Sequence, residues 1–316
     1  IPLTTYYSPL TFNPHAFFPY FVPMKNFRIY ICFAFSLLVC SCKQSSTPTT
    51  SKLARNGVAL SYQSCGAGDT TLLFVHGWCI NKTYWEEQVK YFCPRYRVVT
   101  VDLPGFGESG KNRTNWSFDE YTADIKYLID TLELKNVVLI GHSMSGDLVL
   151  KAGNEYPHSL IGLVGIDNLH EPGAPMNEQA QKETTEFFDL MASTFDSTVQ
   201  ASMMVSLFQP STDTIIVKRV MKDIYDSDPS IATNVLRALV EVAQQEKPLM
   251  LGLKHRLYLI NSSVQPISRD SLAKYCAKGF EMINIGATGH YPMLEKPYEF
   301  NKALELVMKR IHSATR

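Results

Sequence analysis

The chain has no excess charge of either sign: Lys and Arg number 30, Asp and Glu 30, and no basic run appears outside its first part. A nucleic-acid partner, which needs a concentrated positive surface, is thereby excluded. No internal repeat is present. Seven cysteines are scattered without a C-x-x-C pair, which argues against metal and redox use. The uncharged apolar stretch from Ile29 to Val39 falls far short of the roughly 20 residues that a permanent membrane-spanning helix requires. What the chain does have is size: 316 residues, 45% of them hydrophobic, suffice for one large core with an insertion.

The first part stands apart. "MKNFRIYICFAFSLLVCSC", Met24 to Cys42, carries Lys25 and Arg28, then the apolar stretch, then small residues around a cysteine. It resembles a bacterial lipoprotein signal peptide, which implies cleavage after residue 41, a lipid on Cys42 and a bilayer as partner. The chain is then expected to be exported to the cell envelope. A cleaved signal with a free Cys42, or a short anchor, is the alternative. Residues 42–52 are polar and read as a tether. Residues 1–23 precede Met24 and read as a mis-called start, outside the fold. Cys65, Cys79, Cys93 and Cys276 then remain, with buried free thiols the expectation and a disulfide the alternative.

From Leu53 onward, short β-branched runs alternate with helix-length stretches. The runs are Leu72–Gly77, Tyr96–Asp102, Asn136–Gly141, Leu160–Asp167, His255–Asn261 and Phe280–Gly286. Their continuous apolarity suits strands buried on both faces. Between them, Asp119–Leu134 places Tyr121, Ile125, Leu128, Ile129 and Leu132 at helical spacing. The alternation predicts an α/β fold with a mostly parallel sheet flanked by helices. The rhythm breaks over 169–248, where four amphipathic stretches follow without a strand. These read as an all-helical cap, so that 53–168 and 249–316 form the core. The cap's Phe187, Phe188, Met191, Met203, Met204 and Phe208 are read chiefly as packing.

Four signals fall in one order: "HGW" (His76–Trp78), "DLPGFGES" (Asp102–Ser109), "GHSMS" (Gly141–Ser145) and "GATGHYPMLEKP" (Gly286–Pro297). Together they resemble the α/β-hydrolase family over nearly everything after Leu53, with the cap inserted between strands 6 and 7. By that resemblance Ser143 is the nucleophile on a strained strand-to-helix turn. Ser145 stands where a second glycine is usual, and Gly146 comes one place late. The plain alternative for Ser143 is a helix N-cap.

A serine hydroxyl needs a base within hydrogen-bond reach, and His290 holds the family position for it. His142, next to the serine, is expected to point elsewhere, and His158, His170, His255 and His312 read as surface or loop residues. The acid departs from the usual pattern, because the loop after His255–Asn261 reads "SSVQPISRD" and lacks an aspartate where one is expected. Asp167, at the end of the preceding strand, is the better candidate; Asp270 is the alternative, and a site without an acid the third. The resemblance assigns the oxyanion donors to the backbone N–H groups of Trp78 and Met144. Asp102 reads as a structural brace.

The expected chemistry is acyl transfer to water on a small carboxylester or lactone, with no cofactor and no metal. A serine nucleophile sets aside the family's aspartate-using dehalogenase and epoxide-hydrolase branches. Carbon-carbon bond hydrolysis on the same triad, and a slow-turnover ligand receptor of the same fold, are the other readings.

Overall fold

The computed structural model describes residues 47–314, which belong to one compact unit. The expected signal, its expected cleavage site and Cys42 lie outside the described residues. Eight strands form one sheet in the order β1-β2-β4-β3-β5-β6-β7-β8. They are β1 (Thr49–Arg55), β2 (Val58–Cys65), β3 (Thr71–Val75), β4 (Arg97–Val101), β5 (Val137–His142), β6 (Leu160–Ile166), β7 (Leu257–Asn261) and β8 (Phe280–Asn284). β1 and β2 run antiparallel, and β4 through β8 are parallel to β3. Every residue of β3 and β5 is buried, as befits central strands covered on both faces.

The helices are α1 (Glu86–Phe92), α2 (Phe118–Thr131), α3 (Ser145–Glu155), α4 (Glu178–Ser193), α5 (Phe195–Leu207), α6 (Thr214–Tyr225), α7 (Pro229–Ala243), α8 (Glu246–Gly252), α9 (Arg269–Tyr275), α10 (Pro292–Glu295) and α11 (Pro297–Ala314). Asn177, Asp213 and Asp228 cap α4, α6 and α7 through side-chain oxygens that accept early backbone N–H groups, so the sequence itself marks where these helices start. Five helices, α4 to α8, therefore occupy the interval between β6 and β7 where four were expected. Phe188, Met191 and Phe208 are buried there, whereas Met204 is exposed.

Two further expectations change. The tether was to run through Lys52, but β1 already begins at Thr49 and pairs with β2 from Thr49↔Ser64 to Arg55↔Val58. Asn56 and Gly57, with φ of 52° and 79°, form the two-residue turn that joins them. β1 is mostly exposed and shows no apolar alternation, so only this Asn-Gly pair betrays the hairpin. Second, Cys65 and Cys93 form a disulfide, with Cα atoms 5.8 Å apart, while Cys79 and Cys276 are free and buried. Gly66 permits the approach, because a Cβ there would lie 2.3 Å from the Cys93 carbonyl oxygen. Closing a loop with a sequence separation of 28 is worth about 3 to 4 kcal/mol in the chain-entropy account.

Candidate active site

The parallel strands end together, and their ends carry the site. Ser143 follows β5 directly with φ of 55°, a left-handed conformation that non-glycine residues seldom adopt. Its N–H donates to the Ile166 carbonyl at 2.9 Å, which fixes the turn against β6. Only small residues fit around it: a Cβ on Gly141 would lie 2.1 Å from the Ser145 carbonyl oxygen. The late glycine also has a cause. A Cβ on Gly146 would fall 1.0 Å from the Asn168 amide nitrogen, so the glycine is needed where Asn168 packs on the first turn of α3. Ser145, in the usual glycine place, donates its hydroxyl to the His76 carbonyl at 2.5 Å and ties the turn to the loop after β3.

The structure brings Ser143, His290 and Asp167 together. Ser143 Oγ lies 2.7 Å from His290 Nε2, and His290 Nδ1 lies 2.7 Å from Asp167 Oδ2. A carboxylate only accepts, so Nδ1 carries the proton and Nε2 is left to accept from the serine hydroxyl. Asp167, with φ of 47°, follows β6, and its N–H donates to the Ile260 carbonyl of β7 at 3.1 Å. Its other oxygen accepts the Ser262 N–H at 2.9 Å. Burial alone would raise this carboxyl; the His290 hydrogen bond and charge and the Ser262 amide outweigh it and bring it down to about 2. Asp270 is exposed in the first turn of α9, away from this group.

The loop that lacks an acid supports the one next door. Besides the Ser262 amide on Asp167, the Ser262 hydroxyl donates to the Thr288 carbonyl at 2.8 Å, holding the loop that carries His290. His170, read as a loop residue, stands with Nε2 4.0 Å from Asp167 Oδ1. His142 also has a role the sequence did not disclose. Its ring does not meet the serine hydroxyl but donates from Nε2 to the His290 carbonyl at 2.7 Å. Burial, with the His290 ring beside it, lowers this imidazole to about 3 and keeps it neutral. A histidine flanking the candidate nucleophile at the end of a buried strand was the available signal.

Two backbone donors lie in the segments beside Ser143. Among the described residues, neither the Trp78 nor the Met144 N–H has a hydrogen-bond partner. A Cβ on Gly77 would lie 3.1 Å from Ser143 Cβ, so the loop bearing Trp78 abuts the nucleophile turn. The Trp78 ring is held from above, its Nε1–H donating to the Ala232 carbonyl of α7 at 2.9 Å. Asp102, fully buried, braces the loop below: its Oδ2 accepts from the Lys82 ammonium at 2.6 Å and the Glu108 N–H at 2.9 Å, and its Oδ1 from the Lys82 N–H at 2.6 Å. Among the described residues, no group of three or more His, Cys, Asp or Glu side chains is arranged to hold a metal.

A model of the alpha/beta hydrolase fold matches residues 70–239, more than half of the chain. The chain belongs to the α/β-hydrolase family. This α/β-hydrolase is 23% identical over 291 residues to an uncharacterised protein of Mycobacterium tuberculosis, covering 83% of this chain and 81% of that one. Among solved structures it is similar to a thermophilic esterase from Thermogutta terrifontis, with a TM-score of 0.70, 21% identity and coverage of 84% of this chain and 99% of that one. A second neighbour, described as degrading N-acyl homoserine lactones, gives a TM-score of 0.70 at 20% identity over 81% of this chain and 99% of its own. The α/β-hydrolase is thus an enzyme of the hydrolase class, built on a mostly parallel sheet with flanking helices.

Proposed function

We propose that this α/β-hydrolase cleaves a small carboxylester or lactone through an acyl-enzyme on Ser143. The observation that carries the proposal is the unbroken relay of 2.7 Å contacts from Ser143 Oγ through His290 to Asp167. Ser143 attacks the carbonyl carbon while His290 takes its proton, and the oxyanion meets the free N–H groups of Trp78 and Met144. His290 returns the proton to the leaving alcohol, which departs. A water then gives its proton to His290 and attacks the acyl-enzyme, and the acid leaves as His290 hands that proton to Ser143 Oγ. Asp167 holds the imidazole in the required tautomer throughout and stabilises it while charged. The esterase and lactone-degrading neighbours support an ester-type substrate.

The test combines turnover of short p-nitrophenyl esters and γ-lactones with labelling by a fluorophosphonate. Turnover is expected together with a labelled peptide containing Ser143. Labelling without turnover, accompanied by a ligand-dependent rise in melting temperature, replaces the enzyme reading with the receptor one; absence of both removes Ser143 as nucleophile.

We further propose that the chain is exported and anchored by a lipid on Cys42. The Met24–Cys42 run supports this, as does the Cys65–Cys93 disulfide, a bond that persists in oxidising compartments. Expressed in a bacterium, the protein is expected to enter the detergent phase on phase separation and Cys42→Ser the aqueous phase. Equal partitioning of the two defeats the anchor.

A further inference from the structure

The relay leaves one acid of the "HYPMLEKP" stretch unused. Glu295, at the end of α10, accepts two hydrogen bonds on the same oxygen: the Gly289 N–H at 3.0 Å, one residue before His290, and the Thr212 hydroxyl at 3.0 Å, in the turn between α5 and α6. Its second oxygen is buried with no partner among the described residues. Glu295 as a whole is half-buried, and a buried oxygen without a partner costs free energy that an exposed one would not lose. The position therefore calls for a compensating role.

The contacts around Glu295 indicate what that role is. The His290 N–H donates to the Leu207 carbonyl, the last residue of α5, at 2.8 Å. The Phe208 ring stacks on Tyr291 with centroids 6.1 Å apart and planes 28° apart. Thr212 accepts the Gln209 N–H at 3.0 Å, so the turn is folded around the same hydroxyl that reaches Glu295. The fit is tight enough to demand glycine at 289, where a Cβ would lie 2.7 Å from the Leu207 oxygen and 2.8 Å from Glu295 Oε1. At its other end α5 sets Phe195 against Trp78, centroids 6.3 Å apart. One helix thus spans from the loop of an oxyanion donor to the loop of the base.

We propose that Glu295 is a positioning residue that locks the His290 loop to the α5–α6 turn, so that the imidazole faces Ser143 only while that turn is seated on the site. The proposal rests on Ser143 and His290 being nucleophile and base. Glu295 touches neither substrate nor reacting atoms; it acts through the Gly289 N–H on one side and the Thr212 hydroxyl on the other. His142 holds the His290 carbonyl from the nucleophile strand, Glu295 holds the Gly289 N–H from α10, and Leu207 holds the His290 N–H from the helical insertion.

Three variants test it, each read by kcat, KM and the rate of fluorophosphonate labelling. Glu295→Ala removes both hydrogen bonds and is expected to lower kcat and labelling in parallel by about 10- to 100-fold, with KM within about threefold, as befits a displaced base. Glu295→Gln keeps an amide oxygen that accepts both donors and is expected to stay within about threefold of the parent. Thr212→Val cuts only the link to the α5–α6 turn and is expected to fall between them. Should Glu295→Ala fail to fold, the other two decide. The proposal is overturned if Thr212→Val labels at the parental rate, or if Glu295→Gln loses as much as Glu295→Ala. An unlabelled parent protein sinks the Ser143 reading as well, whereas a labelled parent with indifferent variants sinks the lock alone.

Discussion

Ser143→Ala is expected to lower kcat by about 10⁵- to 10⁶-fold and to abolish fluorophosphonate labelling, leaving a residue of rate enhancement from the oxyanion donors and substrate binding. The size of the loss follows from the lack of a substitute. The described contact of the hydroxyl is with His290, and the neighbouring serine, Ser145, is fully buried with its hydroxyl committed to the His76 carbonyl. The fold should hardly notice, because alanine keeps the Cβ that the turn accommodates and gives up one hydrogen bond. Initial ester hydrolysis rates and mass spectrometry of the labelled protein check the first statement, and a melting curve the second. A variant that keeps a tenth of the activity, or is labelled at another residue, shows that the chemistry lies elsewhere.

The second large effect separates the two candidate acids. Asp167→Asn is expected to cost about 10⁴-fold in kcat, and Asp270→Asn less than about twofold. The reason lies in Ser262. Its N–H donates to one Asp167 oxygen, so an asparagine there turns its own oxygen toward Ser262 and presents its NH₂ to His290 Nδ1. Nδ1 must then accept, the ring proton moves to Nε2, and Nε2 can no longer receive the proton of Ser143. The pH profile follows from the same carboxyl. Its folded value of about 2 lies below the free value of about 3.9, so its ionised form is favoured by folding. Its contribution to stability is present above about pH 4 and is lost as pH falls toward 2. Protonation of Asp167 therefore does not set the acid limb of activity anywhere near neutrality. Equal losses in the two variants, or a larger one in Asp270→Asn, transfer the role to Asp270.

Much of this arrangement was legible in the chain, because apolar continuity reports burial on both faces. The runs Leu72–Gly77, Tyr96–Asp102 and Asn136–Gly141 could be read as central strands for that reason, and β3, β4 and β5 occupy them. The helical spacing over Asp119–Leu134 could be read in the same way, and α2 lies there. Edge strands send no such signal. β1 exposes most of its residues, so its place in the sheet depends on one turn and on pairing with β2, which are not encoded in any local pattern of apolar residues. The site shows the same division. Ser143 and His290 announce themselves through the small residues and loops beside them, since close approach constrains side-chain size locally. Asp167 was one of three options because the partner of an imidazole is chosen in space, across 123 positions of sequence. His142, Ser262 and Glu295 went unassigned for that reason: each bonds to a distant segment, His142 and Ser262 through backbone carbonyls and Glu295 through the Thr212 hydroxyl, and any polar residue can do that.

The two ends of the described chain share a location. Thr47 lines a cavity with Arg97 and Leu132, next to where β4 begins, and His312, near the end of α11, lies 3.1 Å from the hydroxyl of Thr70, just ahead of β3. Ser143, Asp167 and His290 follow the opposite ends of their strands. A fusion partner, an affinity tag or a solid support attached beside Thr47 or His312 thus sits at the end of the sheet opposite to Ser143.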